Sequence, residues 1–132
     1  MANKKKIRIL VCEDNSLMLH GLRFILQRFE DLELVGYART GTVAVARAQE
    51  LEPDVILMDL GLPELDGIAA TKIIKAKNAA IKVVVVSAEQ DEKKLKQASE
   101  AGADGFLPKP VLDPDALYFE ILQTLEPSKT AR

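Results

Sequence analysis

Five short apolar runs, separated by stretches with helical periodicity, constrain this chain more than anything else in it. Ile7 to Cys12, Leu32 to Tyr37, Val55 to Met58, Lys82 to Val86 and Gly105 to Leu107 read as strands, the first and fourth almost uninterrupted by polar residues. A strand with one wet face alternates apolar and polar residues, whereas one covered on both faces does not. Strand then helix, repeated about five times, predicts a parallel sheet with helices on both faces and right-handed crossovers. Between the runs, Met18, Leu22, Ile25, Leu26 and Phe29 fall on one helical face. Asp113-Pro114 supplies an N-cap with proline at the first helical position, and Gly102 marks a helix end.

At 132 residues and 48% hydrophobic the chain has the size of one domain with a real core. Residues 1–126 are read as that domain and 127–132 as a flexible tail or truncated linker. With 18 Lys plus Arg against 20 Asp plus Glu, the net charge is -2. That leaves no basic field for nucleic acid. Cys12 is the one cysteine and lies inside an apolar strand, where a thiol is usually inert. Lys4-Lys5-Lys6 gives way at once to Ile7-Arg8-Ile9, so no signal peptide or membrane span is expected. The default is a soluble cytoplasmic protein.

Parallel strands open their carboxyl ends onto one edge. Glu13-Asp14, Asp59, Ser87 and Lys109 each follow a strand-like run and would converge there. In the doubly wound order 2-1-3-4-5 the switch point lies between strands one and three, where Glu13, Asp14 and Asp59 sit. Crowded carboxylates repel unless a cation neutralises them, and a hard divalent ion such as Mg²⁺ suits oxygen ligands. The plainer alternative is that Asp14, Asn15 or Ser16 caps the next helix. His20 has no partner at ligand spacing and receives no role.

The segments Val11-Cys12-Glu13-Asp14-Asn15, Val55 to Pro63, Leu65-Asp66-Gly67, Val84 to Ala88 and Gly102 to Pro110 resemble, in order, the receiver domain of two-component response regulators. Gly21-Leu22-Arg23 and Asp31 to Gly36 are most similar to receivers of the LuxR-type helix-turn-helix subfamily. The resemblance implies a flavodoxin-like three-layer sandwich. It implies that Asp59 is the phosphoacceptor, that Glu13, Asp14, Asp59 and the Gly61 carbonyl hold Mg²⁺, and that Lys109 pairs with Asp59 and then with the phosphoryl group. It further implies that Ser87 donates to the phosphoryl group and that Ser87 and Phe106 form the switch, against the bland reading of Phe106 as core. The Lys109-Pro110 peptide is expected to be cis.

The implied function is a signalling switch that catalyses only its own phosphorylation and dephosphorylation. The partners implied are a sensor histidine kinase or histidine phosphotransfer protein, a downstream target the sequence does not name, and a homodimer formed on phosphorylation; membrane and direct nucleic-acid contacts are not. Leu17 and Phe24, opposite the buried face of the first helix, are read as the contact for the phosphotransfer partner. Gly61 and Glu89, two residues beyond Asp59 and Ser87, are read as setting water access, with Glu89 orienting the water and dephosphorylation rapid. A haloacid-dehalogenase-like hydrolase would need an acid where Gly61 stands, and Glu13-Asp14 would repel a flavin phosphate. The remaining alternative is an unphosphorylated receiver-like scaffold.

Overall fold

The computed structural model describes residues 5–111 and 113–126. Its elements alternate throughout: β1 Ile7–Cys12, α1 Ser16–Leu26, β2 Leu32–Ala38, α2 Gly41–Leu51, β3 Val55–Met58, α3 Gly67–Lys77, β4 Lys82–Ser87, α4 Glu92–Glu100, β5 Gly105–Pro108 and α5 Pro114–Leu125. All strands are parallel, in the order β2-β1-β3-β4-β5. The fold is the expected flavodoxin-like sandwich. Three strands run one residue past the apolar runs, to Ala38, Ser87 and Pro108, because ladder hydrogen bonds do not require an apolar side chain.

Strand pleating divides the core. Ile9, Val11, Leu57, Val84 and Val86 pack with Leu19, Leu22 and Leu26 of α1 and with Leu117 and Ile121 of α5. The intervening residues Leu10, Cys12, Ile56, Met58 and Val83 face α2 and α3 through Ala44, Ala48, Ala70 and Ile74. Val85 meets α4 at Ala98 and Leu95. Each fully buried aliphatic side chain contributes about 1.5–3 kcal/mol relative to exposure, so the central strands hold most of the stability. Leu19 is buried where the α1 stripe was read through Met18; Met18, Ile25 and Phe29 are only partly covered. Burial of the Cys12 thiol pushes its pKa far above the ordinary range, which fits the inert reading.

The helices start where the sequence provides caps. Asn15 accepts from the Met18 amide, Asp66 from Ala69 and Asp113 from Asp115. Asp14 is therefore not the cap of α1, and Asp59 is not the cap of α3. Gly102 lies just past α4 with φ +114, a conformation that favours glycine. Gly67 is required for a different reason. A Cβ there would lie 2.2 Å from the Asp59 carbonyl oxygen, so α3 starts directly against the backbone that carries Asp59. The proposed tail, 127–132, lies outside the described residues.

Candidate functional site

Strand register assembles the site. Cys12 pairs with Met58 and with Ala38, so Glu13, Asp59 and Arg39 follow side by side. The Asp59 amide donates to the Cys12 carbonyl at 3.0 Å, and the Glu13 amide to Ala38 at 2.9 Å. Ser87 pairs with Pro108, and the Lys109 amide donates to the Ser87 carbonyl at 3.0 Å. Four strand ends thus fix the backbone of Glu13, Asp59, Ser87 and Lys109, whereas Asp14 and Gly61 ride on the loops that follow.

Carboxylate oxygens of Glu13, Asp14 and Asp59 all lie within 4.8 Å of one another. Asp14 is exposed, whereas Glu13 is only 1% exposed and Asp59 9%. Lys109 provides the counter-charge. Its Nζ lies 2.7 Å from Glu13 Oε1 and 3.4 Å from Asp59 Oδ1. The expected Lys109–Asp59 pair is present but is the longer of two. Glu13, the more deeply buried of the two anions, takes the shorter one, and among the described residues its carboxylate also accepts from the Asn15 amide at 3.1 Å. The Lys109-Pro110 peptide is cis.

Ser87 is buried, and its Oγ accepts from the Glu89 amide at 3.0 Å. With one lone pair so occupied, the hydroxyl proton is left to donate elsewhere. Gly61 leaves one side open: a Cβ there would meet only Asp59 Oδ2, at 3.9 Å. The Glu89 carboxylate accepts from the Asp91 amide at 3.0 Å through Oε2 and lies 3.7 Å from Lys94 Nζ through Oε1. Each oxygen keeps a lone pair that a water can use.

Phe106 is not a core residue. The residue is 39% exposed on edge strand β5. Beside it a cleft of about 270 Å³ is lined by Val85, Leu95, Ala98 and Ala103. Leu17 and Phe24 are exposed as read, at 82% and 68%. Arg39 was missed by the sequence reading. Its guanidinium donates to the Asp14 carbonyl at 3.2 Å and to Ser16 Oγ at 2.6 Å, on the loop carrying the acids. No motif marks it in the sequence; its place follows from the pairing of Cys12 with Ala38.

Three converging carboxylates suit a hard divalent cation, and the Lys109 ammonium offsets only part of their charge. The comparisons agree with that chemistry. Residues 9–121 match the response regulator receiver domain. The transcriptional regulatory protein LnrK of Bacillus subtilis (strain 168) is 36% identical over 103 residues, 78% of this chain and 47% of its own length. Chemotaxis protein CheY of Halobacterium salinarum is 36% identical over 110 residues, 83% of this chain and 90% of its own. The chain spans about half the length of LnrK but most of CheY. Among solved structures, the response regulator domain of Thermotoga maritima CheB superposes with a TM-score of 0.85 at 34% identity, covering 94% of this chain and 99% of that one. A LuxR-family response regulator from Aurantimonas sp. SI85-9A1 gives 0.84 at 30%, covering 92% and 86%.

Proposed function

We propose, from the premise that this chain belongs to the response regulator receiver family and so acts as a phosphoacceptor in two-component signalling, a specific division of labour among its site residues. Asp59 is the nucleophile. One of its carboxylate oxygens attacks phosphorus of a phosphohistidine or acyl phosphate; the new O–P bond forms as the bond to the leaving nitrogen or acyl oxygen breaks. Lys109 shifts from the carboxylates onto the phosphoryl oxygens, where an ammonium counters the added charge. Ser87, its acceptor side held by the Glu89 amide, turns its free proton to the same oxygens.

Glu13, Asp14, Asp59 and the Gly61 carbonyl would hold Mg²⁺, and the cluster of three carboxylates supports that set. When bound, the ion neutralises charge on the transferring group. As Ser87 moves toward the phosphoryl group, Phe106 turns into the cleft between α4 and β5, repacking the α4-β5-α5 surface. Catalysis is limited to the chain's own phosphorylation and dephosphorylation. Residues 1–126 form the working receiver, and the exposed Leu17-Phe24 face of α1 receives the histidine phosphotransfer partner.

The observation that carries this reading is the ion-paired cluster itself: Lys109 between Glu13 and Asp59, beside Asp14 and Ser87 at one sheet edge. A pure scaffold has no need of buried acids paired at that edge, so the scaffold alternative is not favoured. The test is intact mass after acetyl phosphate treatment. Wild type should gain one phosphoryl group only with a divalent ion present, and Asp59→Asn should gain none. Equal uptake by Asp59→Asn would defeat the assignment.

A further inference from the structure

We infer that Arg39 tunes ligand capture at this site: a cation held on the loop that carries Asp14, it draws in anionic phosphodonors while opposing the divalent ion. The inference rests on the phosphoacceptor reading above. Arg39 follows β2 directly, and β2 ends in register with β1, where Glu13 begins. Although Arg39 is exposed, two hydrogen bonds tie its guanidinium to the Asp14 carbonyl and Ser16 Oγ. Among the described residues it makes no ion pair, so its charge is not cancelled locally.

Charge bookkeeping shows why this matters. Glu13, Asp14 and Asp59 contribute -3 and Lys109 contributes +1, a formal -2. A divalent ion brings that to zero. A neutral site exerts no long-range pull on a doubly charged acyl phosphate, so Arg39 makes the loaded site net positive. One charge acting on a dianion through water, within a Debye length of about 10 Å at 0.1 M salt, changes capture by about threefold. The same charge opposes Mg²⁺, so its two effects have opposite signs. Loosening of the Asp14 loop, the purely structural role, would weaken both ligands together.

The test compares wild type, Arg39→Gln and Arg39→Lys at 0.1 M and 1 M salt. One arm reads the second-order rate constant with acetyl phosphate at saturating Mg²⁺; the other reads Mg²⁺ affinity alone by calorimetry. At 0.1 M, Arg39→Gln should react about threefold more slowly yet bind Mg²⁺ about threefold more tightly. Arg39→Lys should restore most of both, and at 1 M the differences should collapse. Weaker binding of both ligands by Arg39→Gln, or an unchanged acetyl phosphate rate constant, would overturn the inference. If wild type itself takes up no phosphoryl group, the phosphoacceptor reading has failed; a reactive wild type with an equally reactive Arg39→Gln defeats only the role of Arg39.

Discussion

Replacing Asp59 with Asn should stabilise the metal-free protein, and the geometry sets the size of the gain. Asp59 repels Glu13 across no more than 4.8 Å, worth about 3–4 kcal/mol at an effective dielectric of 20. Repulsion from exposed Asp14 adds about 1–2 kcal/mol after solvent screening. Attraction to Lys109 at 3.4 Å returns about 5 kcal/mol on the same scale. The pairwise terms therefore nearly cancel, and desolvation decides the sign. Asp59 is only 9% exposed, and no backbone amide donates to its carboxylate among the described residues. A neutral amide of the same shape avoids most of that penalty, leaving a net gain of about 1–2 kcal/mol. For a chain this size the melting temperature rises by roughly 3–8 °C. Calorimetric melts in chelator should show that rise. Saturating Mg²⁺ should then raise the wild type more than the variant, since ligand binding stabilises by mass action. A variant that melts below wild type in chelator would refute the reasoning.

A side chain at position 61 has room beside Asp59 Oδ2, so Gly61→Arg should shield the phosphoryl group and slow its loss severalfold; decay at constant Mg²⁺ after donor removal measures this, and faster decay would count against it. Tyr118 donates to Asp31 Oδ2 at 2.6 Å, and that hydrogen bond, with burial and the Asp31 charge, raises its pKa above 10.0. A raised folded-state pKa means that the contribution is complete below the unfolded value and is lost as pH climbs through the folded one. Alkaline melts should therefore fall more steeply for wild type than for Tyr118→Phe, and parallel curves would contradict the claim. Phe24 is 68% exposed, so Phe24→Ser should change stability by no more than about 0.5 kcal/mol while slowing phosphotransfer from the cognate kinase; an unchanged transfer rate would exclude that face.

The strands were legible because doubly covered strands leave an unbroken apolar signature, and their ends located Glu13, Asp59, Ser87 and Lys109 at one edge. Register was not legible, because it depends on pairing between segments distant in sequence. Nothing local in the sequence says that the Lys109 amide bonds to the Ser87 carbonyl, or that its ammonium sits closer to Glu13 than to Asp59. How Glu13 and Asp59 share one ammonium depends on their placement in the folded chain, a tertiary property. The contacts of Glu89 were hidden for a related reason: counting from Ser87 gives its position but not the Asp91 amide that donates to its carboxylate. Arg39 carried no motif in an exposed stretch, and only the pairing of Cys12 with Ala38 reveals its place.

The central claim, that Asp59 accepts the phosphoryl group, is tested most directly by reductive trapping. Borohydride converts an aspartyl phosphate to homoserine, and peptide sequencing by mass spectrometry locates the change. After reaction with acetyl phosphate and Mg²⁺, homoserine should appear at position 59 and at no other aspartate, and chelator should abolish it. Homoserine at Asp14 or another carboxylate, with position 59 unchanged, would contradict the account.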